Sequence, residues 1–175
     1  MAKQRERVKM TADEVAEMLG GCRKVQLATI NPDGAPHLVT MYYAMVDGKI
    51  AFWTYRTSQK ALNLARDPRI TCLVETGEAY FDLRGVQIQG VAETITDPGE
   101  VYKLGLRIGE VVAGATASVQ AADSSDRPAA EDPASGELGS SINEYVANAA
   151  RKRYAYLVEP RRIASWDHTK LLGTS

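Results

Sequence analysis

The sequence predicts an α+β domain that is mainly antiparallel β, a barrel with helices at its ends. The first observation is a series of short stretches rich in strand-forming residues. The second is that hairpin turns such as Asp47-Gly48 separate them. The third is their order with the helical patterns, β-β-β-α-β-β-α-α-β-β, after one initial helix. The 175 residues, 45% of them hydrophobic, suit a single domain, 1–175, with one core.

The first half of the chain is predicted to hold two helices and five strands. Thr11 and Glu14 form a capping box for the first helix, and Gly20-Gly21 ends it. Asp67-Pro68 ends the second helix, which spans 58–65. The strands are predicted at 24–30, 36–44, 50–54, 69–75 and 80–95, the last one bent at its glycines.

The second half changes in composition. A helix is predicted from 97 to about 112, after which residues 113–140 are mostly Ala, Ser, Gly, Pro and Asp. Such a segment has few large apolar side chains to offset its ordering entropy, so it is predicted to be a flexible insertion within the domain. A helix over 141–152 and strands at 154–159 and 161–166 complete the chain.

Several classes of function are disfavoured. A net charge of −1 argues against long nucleic acids as partners, and no apolar run is long enough to cross a membrane. The basic N-terminus has no apolar run after it, as a secretory signal would, so a cytoplasmic protein is expected. Cys22 and Cys72 are too few for a disulfide framework or a zinc site, and Cys72 lies in an apolar run typical of an inert buried thiol. The chain has neither a Gly-rich phosphate loop nor a Gly-x-Ser-x-Gly elbow, and no metal site is predicted.

One segment, residues 54–60, combines groups that bind anions. It runs from Thr54 to Lys60, between a predicted strand end and a predicted helix start. The unpaired N–H groups and the dipole of a helix start favour an anion, and hydroxyls and two cations, Arg56 and Lys60, are at hand. The alternative is that Ser58 is only an N-cap and that the cations face solvent.

The aromatic residues Tyr42, Tyr43, Phe52 and Trp53 lie on the two strands that lead to this segment. A planar ligand stacked beside a strand, with its phosphate at the following helix, would use this arrangement. The alternative is that these rings fill the barrel.

The run from Val25 to about Thr96 resembles the split-barrel superfamily of pyridoxamine 5′-phosphate oxidase and the flavin- and deazaflavin-dependent oxidoreductases. The order and spacing of six short motifs carry the resemblance: Leu27-Ala28-Thr29, Asp33-Gly34-Ala35-Pro36-His37, Asp47-Gly48-Lys49-Ile50, Ser58-Gln59-Lys60 through Asn63-Leu64, Asp67-Pro68-Arg69, and Val86-Gln87-Ile88-Gln89-Gly90. The resemblance returns near Trp166. It implies a split β-barrel, FMN-binding-like, with peripheral helices.

The resemblance also implies a homodimer with two cofactors at the subunit interface. Ser58, Gln59 and Lys60 would hold the cofactor phosphate, and the strand 39–42 would line the flavin ring. Gln87 and Trp166 would face the site from the partner subunit. The full set of implied cofactor-binding residues is Val39, Thr40, Met41, Tyr42, Trp53, Thr54, Arg56, Ser58, Gln59, Lys60, Asn63, Gln87 and Trp166.

The C-terminus differs from that of the vitamin-processing oxidases. It reads Ser165-Trp166-Asp167-His168 and lacks their pair of arginines, so oxidation of pyridoxine phosphate is not expected. The chain resembles instead the branch of probable coenzyme F420-dependent enzymes. The implied function is hydride transfer from reduced deazaflavin to a small conjugated organic substrate.

Two alternatives remain open, namely an FMN-dependent oxidoreductase of the same fold and a non-catalytic ligand-binding protein. No catalytic residue is assigned, and Tyr42, Tyr55 and His168 are candidates only. The cations of the N-terminal arm are expected to meet the acidic tail of the deazaflavin, unless the arm is a solvated terminus: Lys3, Arg5, Arg7 and Lys9.

Overall fold

The computed structural model describes residues 2–123 and 135–172, with side chains for 5–114 and 143–172. The helices are α1 (Ala2–Val8), α2 (Ala12–Gly21), α3 (Gln59–Arg66), α4 (Pro98–Asp123) and α5 (Ser135–Ala150). The strands are β1 (Lys24–Ile30), β2 (Pro36–Tyr42), β3 (Ala44–Val46), β4 (Lys49–Tyr55), β5 (Arg69–Thr76), β6 (Arg84–Ile95) and β7 (Arg153–Asp167). A 3-10 turn, His168–Leu171, follows β7.

Within the described ranges, seven strands form one antiparallel sheet in the order β2-β1-β5-β6-β7-β4-β3. The two edge strands, β2 and β3, are consecutive in the chain, with Tyr43 alone between them. Because a single residue joins the two edges, the sheet must curl until they meet at this end. They are not paired with each other, so the barrel stays open along that seam. This is the predicted split β-barrel with peripheral helices.

Tyr43, the residue between the two edge strands, connects the open side of the barrel to α2. Its side chain is 1% exposed, and its hydroxyl donates a hydrogen bond of 2.6 Å to the carbonyl oxygen of Leu19 in α2. Burial raises the pKa of Tyr43 above its usual value, so the phenol stays protonated and keeps donating. The helix α2 is thereby held against the point where the edges meet.

The apolar residues form two clusters. The first fills the barrel and includes Leu27, Cys72 and the stacked rings of Phe52 and Tyr156, whose centroids are 5.0 Å apart. Burial raises the pKa of the Cys72 thiol to about 12, which agrees with the predicted inert thiol. The second cluster lies between the outer face of β4 and β7 and the helices α4 and α5, and it includes Trp53.

Two predicted features of the second half are wrong. Residues 113–123 continue α4 and residues 135–140 belong to α5, so these parts of the predicted flexible insertion are helical. Their alanines have high helix propensity, and a scarcity of large apolar side chains does not by itself exclude a helix. The remainder of that segment, 124–134, lies outside the described residues.

The two strands predicted at 154–159 and 161–166 are one strand, β7. Its pairing with β6 changes register between Gln89 and Gly90, whose partners are Arg162 and Pro160. Arg161 is the extra residue of a β-bulge at this point. Pro160 is tolerated within the strand because the ladder is already interrupted there.

Candidate functional site

The start of α3 lies where the sequence predicts an anion site. Ser58 is the N-cap, with φ −70° and ψ 150°, and its hydroxyl accepts the backbone N–H of Ala61 at 3.4 Å. The Oγ1 atom of Thr54 lies 3.1 Å from Oγ of Ser58. Within the described residues, no hydrogen bond uses the backbone N–H of Gln59 or Lys60. Two unpaired donors and a hydroxyl pair therefore meet at one helix end.

Lys60 adds a positive charge to this end. Its side chain is half-buried, and no described carboxylate forms an ion pair with it. Burial lowers its pKa below the usual lysine value, because desolvation disfavours the ammonium form. An ammonium that is partly desolvated and lacks a counterion is stabilised by any anion that reaches it.

The other cations near the end of β4 are engaged with the chain. Nη2 of Arg56 donates to the carbonyl oxygen of Arg151 at 2.5 Å, and its guanidinium lies 5.1 Å from the ring centroid of Tyr154. Arg56 thus connects the end of β4 to the chain that follows α5. Its charge still adds to the positive potential at the site.

The guanidinium of Arg153 lies between two rings, 4.6 Å from the centroid of Tyr55 and 4.3 Å from that of Trp53. A hydrogen bond from Arg153 lowers the pKa of the exposed Tyr55 below its usual value. Sequence reasoning missed Arg153. Three consecutive cations, 151–153, between a helix and a strand were the available signal.

Asn63 is placed differently from the cofactor contact that the resemblance implies. It is fully buried, and its Nδ2 donates to Thr29 Oγ1 at 3.0 Å and to Asn31 Oδ1 at 2.9 Å. Its Oδ1 accepts from Gln59 Nε2 at 2.9 Å. The amide is therefore used within the chain: Asn63 holds α3 against β1 and orients Gln59.

Gln87 and Trp166 come together on the outer face of the sheet. They line a cavity of about 480 Å³ with Gln26 and Leu38. Trp166 packs so closely on Gly85 that a Cβ there would lie 2.1 Å from the indole ring. Oε1 of Gln26, another residue that the sequence did not single out, is buried without a partner among the described residues. The cavity thus offers a flat ring and the amide side chain of Gln87.

The remaining predicted residues divide between the two faces. On β2, Val39 and Met41 pack against the barrel core, whereas Thr40 is exposed and pairs with Gln26 on the outer face. Trp53 belongs to the second apolar cluster, which α4 and α5 cover, and Tyr42 packs against that cluster. Trp53 is therefore a core aromatic residue and not a residue that faces a ligand in this chain. A Cβ at Gly105 of α4 would lie 2.6 Å from its ring.

The predicted residues form two separate groups within one chain. Tyr55, next to the start of α3, pairs with Arg153 at the beginning of β7, whereas Trp166 lies near the end of the same strand. One chain therefore does not bring the α3 start and the Gln87–Trp166 cavity together. The implied arrangement, in which the partner supplies the second group, stays a prediction.

The N-terminal arm lies far from the start of α3 in the same chain. Lys9 and Met10 are bound at the end of β7, where Met10 N–H donates to Ser165 Oγ at 3.2 Å. Nζ of Lys170 donates to the carbonyl oxygen of Lys9 at 2.9 Å. The end of the arm is thus not a loose terminus, whereas a contact between its cations and the tail of a deazaflavin stays a prediction.

His168, one of the candidate catalytic residues, lies at this same end of β7. Its Nδ1 is 2.7 Å from the carbonyl oxygen of Tyr80, and the two rings are 4.7 Å apart. His168 therefore lies at the same end of β7 as Trp166, away from the start of α3. Tyr55 is the candidate that lies beside the α3 start.

The split barrel and its helix-start site define the class of protein. The sequence profile of the pyridoxamine 5′-phosphate oxidase family matches residues 11–135, and the chain belongs to this family. Among the described residues, no group of three His, Cys, Asp or Glu side chains could hold a metal ion. No helix in the described ranges is long and apolar enough to span a membrane.

Solved structures show the same fold. A conserved hypothetical protein from Mycobacterium tuberculosis is 34% identical, with a TM-score of 0.76 over 98% of this chain and 93% of that one. A structure described as an F420 reductase is 20% identical, with a TM-score of 0.55 over 84% and 93% of the two chains. A FAD-binding protein from Mesorhizobium loti is 18% identical, with a TM-score of 0.54 over 90% and 94%. The last two show a likeness of fold alone. No match was found among curated proteins.

Proposed function

We propose that this protein is an oxidoreductase that binds coenzyme F420 and transfers a hydride between the deazaflavin and a small conjugated organic substrate. The observation that carries the proposal is the start of α3, where the Thr54–Ser58 hydroxyl pair adjoins two backbone N–H groups and Lys60, all without a partner among the described residues. An F420 reductase and flavin-binding proteins share this fold.

The start of α3 suits the phosphate of such a cofactor. The N–H groups of Gln59 and Lys60 point along a helix dipole that favours negative charge. One hydroxyl hydrogen of Thr54 and Ser58 is used between them, which leaves the other to donate to a ligand. Charge-assisted hydrogen bonds from Lys60 would complete the phosphate site.

Tyr55 is the described side chain best placed to hold or supply a proton near this site. The cofactor would supply the hydride, and the chain would bind it, orient it and exclude water. Arg153, whose guanidinium lies over the Tyr55 ring, lowers the pKa of the Tyr55 hydroxyl below its usual value, so the phenol releases a proton more easily.

The Gln87–Trp166 cavity would come from the partner subunit of a homodimer. Trp166 offers a flat surface for a ring, and the amide of Gln87 in the same cavity would hydrogen-bond to a ring heteroatom. Both features fit a tricyclic cofactor, deazaflavin or FMN, and do not separate the two.

A non-catalytic ligand-binding role is the second candidate. The groups with the largest shifts in pKa among the described residues are Tyr43, Cys72, Tyr156 and Asp67. The first three are buried in the barrel core, and Asp67 is paired with Arg69, so none of them marks an acid or base at the site. If Tyr55 does not act on a substrate, the site would hold a cofactor without turning it over.

Titration of the purified protein with coenzyme F420, FMN and haem tests the proposal. We expect coenzyme F420 to bind more tightly than FMN, and Ser58→Ala to weaken both, whereas the neighbouring exposed Thr57→Ala serves as the matched control. Oxidation of reduced F420 by a panel of conjugated carbonyl compounds should then be accelerated. Binding without acceleration would favour the ligand-binding role, and tight FMN with weak F420 would favour the FMN enzyme.

A further inference from the structure

A second groove, with a basic lining, lies beyond the other end of α3. It is a cavity of about 430 Å³ beside the start of β5 and the bulge of β7. Arg69, Arg161 and Arg162 line it, with Gln89 and the apolar walls of Ile30 and Val91. No carboxylate is among the described residues that line the cavity.

The β-bulge explains how two consecutive arginines share one groove. In a regular strand, neighbouring side chains point to opposite faces of the sheet. Arg161 is the extra residue between Pro160, which pairs with Gly90, and Arg162, which pairs with Gln89. A bulge redirects side chains locally, and here both arginines line the same cavity.

Gly90 makes the bulge possible. A Cβ at this position would lie 2.2 Å from the carbonyl oxygen of Glu159 on the facing strand. Only a residue without a side chain allows the backbones of β6 and β7 to approach this closely.

The charge of the groove is only partly neutralised. Arg69 is paired with Asp67, with Nη2 and Oδ2 2.6 Å apart, and this pairing lowers the pKa of the Asp67 carboxyl to about 2. The side chains of Arg161 and Arg162 form no hydrogen bond or ion pair in the part of the chain that the structure describes. Two like charges are thus neighbours in the strand, and no described carboxylate neutralises them.

We propose that this groove is a binding site for a multivalent anion that carries several carboxylates or phosphates. A guanidinium binds either group through two parallel hydrogen bonds, and adjacent guanidinium groups suit a ligand with adjacent charges. The ligand is either a free polyanion or an acidic tail of a cofactor whose phosphate lies at the start of α3. The groove begins three residues after α3, a helix about 12 Å long.

Calorimetric titration of the full chain with inorganic tripolyphosphate at low ionic strength tests the site. We expect one site per chain, with binding weakened about tenfold or more by either Arg161→Gln or Arg162→Gln. Arg107→Gln, which removes the same charge from an exposed position on α4, is the matched control and should leave binding unchanged.

The same variants titrated with coenzyme F420 and with its tail-less deazaflavin nucleoside identify the source of the anion. If the variants lose affinity only for coenzyme F420, the groove binds the cofactor tail. If their affinity for both deazaflavins is unchanged, the groove binds a free polyanion. The proposal is overturned if neither tripolyphosphate nor the tailed form depends on Arg161 and Arg162, or if Arg107→Gln weakens binding equally. It is also overturned if the variants lose binding only because their sedimentation shows dissociated subunits.

Discussion

Lys60, the second residue of α3, is half-buried and faces no described carboxylate. The sequence predicted its place, because a hydroxyl residue such as Ser58 is a typical N-cap and Lys60 follows it by two residues. It could not predict the neighbours that arrive from distant segments, such as Arg153 against Tyr55 or Thr29 against Asn63. For single residues, a helix cap can be predicted because it depends on neighbouring residues in the sequence. Side-chain partners from distant segments cannot be predicted in this way.

Lys60→Ala should weaken F420 binding about tenfold or more, because a charge-assisted contact with the phosphate contributes roughly 1.5–3 kcal/mol. The free energy of unfolding should change little, since burial disfavours the charged lysine in the free protein. Fluorescence titration and urea unfolding measure the two effects. Lys103→Ala, on the exposed side of α4, is the control. Unchanged F420 and FMN affinity in Lys60→Ala would move the phosphate site elsewhere.

The lowered pKa of Lys60 also predicts a dependence on pH. Phosphate binding needs the ammonium form, so affinity should fall as the pH rises through the Lys60 pKa, which lies below the usual value of 10.5. Lys60→Arg should remove this fall, because a guanidinium stays protonated over the whole range. Equal pH profiles for wild type and Lys60→Arg, measured by titration between neutral and alkaline pH, would contradict this assignment.

At the scale of elements, local signals predicted β1 and α3 well and β7 poorly. The strand β1 spans the predicted 24–30, and α3 follows its predicted cap. Pro160 predicted a break in the last strand, because a bulge and a break have the same sequence signature. The pairing with Gly90 that makes it a bulge is set by a distant strand.

Gly90→Ala should lower the free energy of unfolding by about 1–3 kcal/mol, the usual cost of forcing a side chain into a packed place. The added Cβ would meet backbone, which cannot rotate away as a side chain can. Gly20→Ala is the control, since nothing lies within 4 Å of a Cβ there and alanine favours the helix α2. Equal stability of Gly90→Ala and wild type in urea unfolding would show that the strands do not approach this closely.

At the scale of the whole molecule, the sheet order decides which residues can cooperate. The sequence predicted an antiparallel barrel, and the resemblance predicted that it is split. Neither the seam at Tyr43 nor the separation of Lys60 from Trp166 could be derived from periodicity, because both depend on which distant strands pair. Leu38, 66% exposed beside the outer cavity, shows that this face carries unburied apolar surface.

We predict a symmetric homodimer in which this outer face meets the α3 start of the partner. Closed two-fold pairs are the commonest oligomers, and a dimer would unite the two groups of site residues that one chain keeps apart. Analytical ultracentrifugation should show twice the chain mass of 19.1 kDa. A monomer at micromolar concentration that still binds its cofactor would contradict the dimer.

A crystal structure of the protein with coenzyme F420 tests the central proposal most directly. We expect the cofactor phosphate within hydrogen-bond distance of Ser58 Oγ, Lys60 Nζ and the backbone N–H groups of Gln59 and Lys60. The deazaflavin ring should lie against Gln87 and Trp166 of the partner subunit. A phosphate bound elsewhere, or a ring enclosed by a single chain, would contradict it.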